Sequence, residues 1–580
     1  MIGSGRFGVG DEIVKNPVNG GGRSVMWATV SLAAVLGLTG AVLEHSVARA
    51  QAAACPTGGL SLSPGFCASV IADNLGHVRH MAQAPDGTIY ANTWSGMYFP
   101  NEPAPPGGFL LAIKPKGDGK AVVSRFGQTA ADGAAGGSGV AVYSGHVYAE
   151  VNDKIVRYAL PAGGAAPSGN TPEVVVSGMP LGGNHPMHPF VIDSKGQIFV
   201  DMGSATNACQ GEAGDRKPDV MGMKPCTELE TRGGTWKYDA NKLNQKFSAK
   251  ERYATGIRNG EGFAFDSAGR LYVTQHGRDQ LPALWPKLYP DLKHATELPS
   301  EELLQLTSGG DYGWPMCYHD RFQKKLVLAP EYGGDGGKAT GVCAQKTEPV
   351  AAYPAHWAPN DLAFYTAKAF PAPFQGGAFI AFHGSWNRAP EPQAGFNVVF
   401  QPIANGKASG DYIVFADGFT NSKLRPTGLL AGSDGALYIS DDEKGRIWRV
   451  TYHGPAGLKT LTAAPAAKAA AGAGSSAALP IPPGATAEQV AAGDKLYHGQ
   501  TCTGCHGADG KGTPVGPDLT SGKYLWGDGS LASIRKTIQD GVSMPKQYRQ
   551  AMPPMGGAQL TPDQLRDVSA YVWAVGHPKK

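Results

Sequence analysis

The sequence predicts an all-β six-bladed β-propeller followed by a small all-α domain, and three observations carry that expectation. First, a turn carrying Gly and then an alternating run of β-branched and aromatic residues recurs six times: APDGTIYANTW at 84, YSGHVYAEVNDKIVRYAL at 143, DSKGQIFVDMGS at 193, DSAGRLYVTQHG at 266, QGGAFIAFHG at 375 and GSDGALYISDDEKGRIWRVTY at 432. Such hairpins cannot bury their apolar faces alone, so repetition around an axis is their natural assembly. A β-sandwich with coincidental hairpins is the competing fold. Second, TAAPAAKAAAGAGSSAALPIPPGA, within residues 453–485, has no apolar periodicity and reads as a tether. Third, two helix patterns bracket a Cys-x-x-Cys-His sequence near the end of the chain.

Taken in order, residues 1–54 read as a leader. VMWATVSLAAVLGLTGAVL at 25–43 is uncharged and apolar, Arg23 precedes it, and ARAQA at 48–52 offers small residues at cleavage spacing. The run is also long enough to cross a bilayer uncleaved, so it reads as a signal peptide or a signal anchor, with membrane attachment in the second case. Export to the periplasm follows. Residues 55–452 hold the six hairpins. The long gap between Gly269 and Gly377 reads as loops and short helices over one face. The 81 Gly and 44 Pro residues favour turns and short strands. With 51 basic and 48 acidic residues the formal charge is only +3, and no block of like charge suggests a nucleic-acid footprint.

The last segment, 486–580, begins with a helix over TAEQVAAGDKLYHG. It ends with one over LTPDQLRDVSAYVWAV, where Thr561, Pro562 and Gln564 form a capping box and Leu565, Val568, Val572 and Val575 share a face. Between them, Cys502 and Cys505 are spaced to bind the two vinyl groups of a haem, and the adjacent His506 to ligate its iron. A cytochrome c domain carrying one covalent haem c is the reading; a redox dithiol or half a zinc site are the plainer ones. The sixth ligand is expected among Met544, Met552 and Met555. MPPMGG resembles the Met-Pro-Pro loop of class I cytochromes c, which selects Met552. With Cys502 and Cys505 assigned to haem, six cysteines remain. The simplest pairing by proximity is Cys55 with Cys67, Cys209 with Cys226, and Cys317 with Cys343.

A haem with both axial positions filled moves single electrons and does little to a substrate. The chemistry therefore belongs to the propeller, and composition goes no further. Specific segments do: VRHMAQAPDGTIYANTWSG at 78, HPMHPFVIDSKGQIFVDMGSATNAC at 185, ERYATGIRNGEGFAFDSAGRLYVTQHGRDQL at 251, GGDYGWPMCYHD at 309, FIAFHGSWNR at 379 and RPTGLLAGSDGALYISDD at 425. As a set they resemble the pyrroloquinoline quinone (PQQ) dependent glucose and sorbosone dehydrogenase family, in particular its L-sorbosone dehydrogenase-like branch. The resemblance implies a six-bladed propeller with PQQ and calcium in a cleft on one face.

Carried over residue by residue, the resemblance places the general base at His185, with His188 as the other candidate. It puts Arg258 near the reacting carbonyls of the cofactor and Asn259 beside it. The backbone carbonyls of Gly277 and Arg278 become calcium ligands, and Arg425, with Arg388 as a further candidate, holds a cofactor carboxylate. A neutral imidazole suits removal of a hydroxyl proton, and guanidinium suits developing negative charge. Two departures stand out. GAAGGSGVAV lacks the Gln that touches the sugar in soluble glucose dehydrogenases, and Thr427 stands where the family has a second carboxylate-binding Arg. The expected activity is oxidation of an aldose or aldosone such as L-sorbosone. Electrons would pass through the haem to a downstream cytochrome, quinone or terminal oxidase. A propeller lactonase and a non-catalytic propeller binding module with a cytochrome are the competing classes; each leaves part of these motifs without a role.

Overall fold

The computed structural model describes residues 55–94, 107–161, 166–168, 171–388, 391–422, 424–455, 457–465, 479–499, 502–507, 509–512, 516–542, 545–548, 552, 554–557 and 560–577. The expected leader, the middle of the tether and Met544 lie outside them. The six hairpins of the sequence seed six sheets, one per blade. Blade 1 is Val78–Gln83, Ile89–Thr93, Leu110–Lys116 and Gly119–Phe126; blade 2 is Gly136–Tyr143, His146–Val151, Lys154–Ala159 and Glu173–Ser177, extended by Gln245–Lys246. Blade 3 is Phe190–Ile192, Gln197–Met202, Gly234–Asp239 and Arg252–Thr255; blade 4 is Gly260–Phe265, Leu271–Gln275, Glu301–Leu306 and Ala351–Tyr353. Blade 5 is Pro359–Phe364, Ala378–Phe382, Asn397–Gln401 and Ile413–Asp417, extended by Ser61–Leu62. Blade 6 joins Pro426–Ala431, Leu437–Asp441 and Ile447–Tyr452 to Phe66–Ala72, so the early strand closes the ring on the last.

Period-two alternation explains why each blade needs two neighbours. In Leu271–Gln275, Leu271 and Val273 pack with Phe199 and Ala254 of blade 3, while Tyr272 packs with Leu362, Phe364 and Ile380 of blade 5. Both faces are buried only when the ring is complete. The first strands of successive blades pack on one another around the axis. Five of the six carry a register shift there: Val78/Met81, Gly136/Val140, Gly260/Phe263, Pro359/Asp361 and Pro426/Leu429. A bulge re-aims the residues it contains. Polar residues such as Arg79, Glu261 and Asn360 fall within these shifts, and Arg79 pairs with Asp442 at 2.7 Å and Glu261 at 3.7 Å.

The 269–377 gap differs in part from the expectation. It does hold short helices, Leu281–Leu284 and Leu292–Thr296, and a small hairpin, Cys317–Asp320 with Lys325–Leu328. It also supplies two strands of blade 4 and the first strand of blade 5. Those runs, EELLQL, AAY and PNDLAF, lack the Gly turn that marked the other strands, because they are reached through long connections. All three disulfides that proximity in sequence predicts are formed.

In the C-terminal segment the helices Ala487–Gly499 and Pro562–Gly576 cross closely. Gly493 permits this: a Cβ there would lie 2.0 Å from the Asp567 carbonyl oxygen. Both predicted starts are capped, Thr486 with Gln489 and Thr561 with Gln564 exchanging reciprocal hydrogen bonds. Leu565, Val568 and Val572 are buried and Val575 is half-buried, as the helical spacing requires.

Candidate active site and haem pocket

His185 precedes blade 3 and reaches a polar cavity of about 260 Å³ lined by Asn184, His185, Arg216, His276, Asp279, Glu301, His356, Ala358, Trp386 and Asn387. Its Nδ1 lies 3.0 Å from the Ser204 carbonyl oxygen and 3.0 Å from Ser204 Oγ. The Oγ itself donates to the Thr206 carbonyl at 2.7 Å. Both atoms offered to Nδ1 are therefore acceptors, so Nδ1 carries the hydrogen and Nε2 keeps its lone pair. Burial, reinforced by the charge on Arg258, holds this imidazole well below its usual range. It is neutral at pH 7, the state a base requires. His188 is elsewhere: it is 1 % exposed, its Nε2 contacts the Pro180 carbonyl at 3.0 Å and its Nδ1 lies 3.4 Å from Glu150.

Arg258 and Asn259 stand together on the segment entering blade 4, both buried. Arg258 donates to the Asn207 carbonyl (3.1 Å), Asn207 Oδ1 (3.0 Å), the Gly277 carbonyl (2.9 Å) and Asp279 Oδ2 (2.8 Å). Its guanidinium is thus the rear support of Asp279 and does not itself line the cavity. Asn259 Nδ2 lies 3.2 Å from His276 Nδ1, and His276 Nε2 lies 3.2 Å from the Pro359 carbonyl. Burial pushes His276 down to about 3.

The two carbonyls expected to bind calcium lie beside Arg258 and Asp279. The Gly277 oxygen accepts from Arg258 Nη1 at 2.9 Å, which uses one of its two lone pairs. Arg278 turns its side chain to Glu331 and to the Asp279 carbonyl (3.1 Å). The described residues contain no group of three or more His, Cys, Asp or Glu able to hold a metal ion. Arg425 donates to the carbonyls of His383 (2.9 Å) and Gly384 (2.6 Å), and Arg388 to Glu297 and to the carbonyls of Ala355 (2.9 Å) and Pro392 (3.1 Å). Neither lines the cavity.

Several cavity residues escaped the sequence reading. Asp279 follows QHGR directly and accepts from Arg216, Arg258 and Asn387, each at 2.8 Å. Burial alone would raise it, but Arg258 and Arg216 outweigh burial and hold the carboxyl far below its usual range. Glu301 behaves oppositely: burial pushes it up to about 8, against hydrogen bonds from the N–H groups of Gly277 (2.8 Å) and Ala358 (3.1 Å). His356 and Ala358 sit at φ 64° and 58°, left-handed values that non-Gly residues hold only where surrounding structure compels it. Burial pushes His356 down to about 4. Only adjacency to a motif signalled Asp279, and nothing in the pattern signalled His356.

The second site is an apolar pocket of about 160 Å³ lined by Cys502, Cys505, His506, Met552 and Met555, with Val568 and Val572 of the last helix among its walls. His506 Nδ1 lies 3.0 Å from the Pro517 carbonyl, so Nδ1 carries the hydrogen and Nε2 is left for iron. Cys502 and Cys505 are the two cysteines outside the disulfides. Met552 exchanges backbone hydrogen bonds with Val542 (2.7 and 2.9 Å), which fixes it in the pocket wall. This donor set fits a covalently attached haem, which Cys502, Cys505 and His506 would hold, with the thioethers of Met552 and Met555 both in the pocket wall. His577 is stacked on Trp573 at 4.0 Å and is not in that wall.

A family model described as TrAA12-like matches residues 60–453, and one described as cytochrome c matches residues 490–576. Over 229 residues the chain is 28% identical to a pyrroloquinoline quinone-dependent pyranose dehydrogenase of Coprinopsis cinerea, covering 33% of this chain and 30% of that protein. Over 85 residues it is 35% identical to the CcoP subunit of the cbb3-type cytochrome c oxidase of Rubrivivax gelatinosus, covering 15% of this chain and 25% of the subunit. The chain thus spans a third or less of the length of these relatives. Among solved structures, the Trichoderma reesei Carbohydrate-Active Enzymes Family AA12 protein superposes with a TM-score of 0.54 at 17% identity, over 69% of this chain and 98% of that one. The PQQ domain of Coprinopsis cinerea pyranose dehydrogenase superposes at 0.52 and 18%, over 69% and 99%. At that identity these likenesses establish the propeller fold alone.

Proposed function

The chain belongs to the TrAA12-like family, and from that premise we propose that it is an exported quinohaemoprotein dehydrogenase oxidising an aldose or aldosone, with L-sorbosone as the type substrate. The observation that carries the reading is His185, a neutral imidazole with a bare Nε2 in the wall of a polar cavity, on a chain that also builds a haem pocket. PQQ, when bound, supplies an ortho-quinone that accepts hydride. The cavity is polar: Arg216 offers donors beside the ionised Asp279, His356 and Asn387 add further polar atoms, and Trp386 gives a flat face.

His185 Nε2 takes the hydroxyl proton of the substrate, and the Ser204 carbonyl keeps the imidazole in the right tautomer and stabilises it once protonated. Arg258 stays charged and holds Asp279 and Gly277 in place. Oxidation of the substrate releases two electrons, and a haem held by Cys502, Cys505 and His506 would carry them one at a time. Three disulfides and covalent haem attachment support an oxidising compartment, here the periplasm. A cytochrome, quinone or terminal oxidase would receive the electrons.

Stopped-flow absorbance tests the reading. Protein loaded with PQQ in the presence of Ca²⁺ is mixed anaerobically with aldoses, aldosones and simple alcohols while haem reduction is followed. The expected result is PQQ-dependent reduction by one sugar class, with kcat/KM lowered about 10²- to 10⁴-fold in His185→Ala. Loaded protein whose haem no sugar or aldehyde reduces would reject it.

A further inference from the structure

Arg216 lines the cavity, whereas Arg258, Arg278, Arg388 and Arg425 do not. Arg258, Arg278, Arg388 and Arg425 are all 2–6 % exposed and donate to protein oxygens. Arg216 differs. Its side chain is 28 % exposed, and it is the one Arg or Lys among the described residues lining the cavity. It spends one Nη2 hydrogen on Asp279 at 2.8 Å and one Nη1 hydrogen on Gln280 at 3.2 Å. Asp215 lies 3.9 Å from its Nε, beyond hydrogen-bond reach, and is itself engaged by Asn184 Nδ2 (2.9 Å) and the Asn207 N–H (2.8 Å). Three of the five guanidinium N–H groups therefore remain for another acceptor.

The presentation of this side chain is built. Its guanidinium carbon lies 5.7 Å from the Trp386 ring centroid, which fixes the guanidinium against an aromatic face. The loop that delivers it is closed by the Cys209–Cys226 disulfide, and Cys209, Arg216 and Asp219 all take left-handed φ values of 55–57°. Three non-Gly residues in that region carry a conformational cost that a free surface loop would shed. Arg216 is thus held as a planar donor fork facing a cavity, the geometry that carboxylates accept bidentately.

We propose that Arg216, backed by Trp386 and presented by the disulfide-closed loop, is the carboxylate clamp of this cavity. The proposal rests on the dehydrogenase reading above and deepens it, since it supplies the cation that Thr427 does not. The carboxylate has two sources, the cofactor or an acidic sugar, and the test separates them.

Equilibrium dialysis of the full-length, haem-bearing protein against PQQ in Ca²⁺ buffer gives the Kd for wild type, Arg216→Ala and Arg216→Lys. PQQ trimethyl ester serves as the probe without free carboxylates, and thermal melting checks the fold. If the clamp holds the cofactor, Kd for PQQ rises about 10- to 100-fold in Arg216→Ala. Arg216→Lys falls between, having charge without the fork, and the trimethyl ester binds wild type and variants alike. If it holds an acidic sugar, the PQQ Kd stays constant while KM for D-glucuronate, and not for D-glucose, rises by a similar factor. Variants that melt like wild type and change neither value overturn the inference and leave the dehydrogenase reading standing. Wild-type protein that takes up no PQQ overturns both. Should Arg216→Ala not fold, Arg216→Lys and Arg216→Gln carry the same comparison.

Discussion

A histidine acts as a base only while one nitrogen is bare, and His185 is kept so by burial first and by Arg258 second. Its folded value lies well below the ordinary one near 6.5, so acidification from pH 8 to pH 6 leaves it unprotonated. The kcat/KM for haem reduction should therefore show no loss attributable to a group titrating near 6.5; such a loss would mean an exposed imidazole. Carboxyls with the opposite shift control stability instead. Glu302 accepts from Gln275 at 2.8 Å and is pushed up to about 8 by burial. In the unfolded chain it loses its proton near 4.5, so between there and about 8 the folded state binds more protons. Stability falls as pH rises through that window, and Glu302→Gln should reduce the fall in Tm between pH 6 and pH 9. A slope identical to wild type would show that Glu302 is ionised in the folded protein. At this scale a motif located His185, which lines the polar cavity, and Cys502, Cys505 and His506, which line the apolar pocket. Arg216 and His356 were illegible because a disulfide-closed loop and a left-handed turn, not a repeat or spacing, bring them to the cavity.

Elements were legible where local chemistry sets their limits. The capping residues Thr561 and Gln564 mark a helix start in any context, and the start is where they place it. The strand Phe66–Ala72 carried no such mark, because GFCASVIA is defined by its partner Ile447–Tyr452, nearly four hundred residues away in the chain. Gly493 shows tertiary contact reversing a local preference. In an exposed helix Gly→Ala gains about 1 kcal/mol. Here the added methyl would meet the Asp567 carbonyl at 2.0 Å, backbone that cannot swing aside. Gly493→Ala should thus destabilise the cytochrome domain by about 1–3 kcal/mol, seen as a lower melting temperature of the haem absorbance. A melt raised by the substitution would show that the two helices separate without cost.

For the whole molecule, the blade count could be read because each hairpin contributes one Gly-turn signature, and blades 1 to 6 correspond in order to the runs at 84, 143, 193, 266, 375 and 432. The cavity could not be read as a whole, since its walls come from segments as far apart as Asn184 and Asn387 that meet only when the ring closes. Closure and tethering together give the last expectation its form. A haem domain joined to the propeller by an Ala-, Pro- and Gly-rich segment is held at an effective concentration on the order of millimolar. At the micromolar concentrations of a kinetic experiment, transfer within one chain then outruns transfer between chains by roughly a thousandfold. With saturating substrate, the observed rate constant for the first haem reduction should stay unchanged when the loaded protein is diluted tenfold. A rate constant that falls in proportion to dilution would mean that electrons leave the propeller for another molecule's haem, and that the tether serves some purpose other than electron delivery.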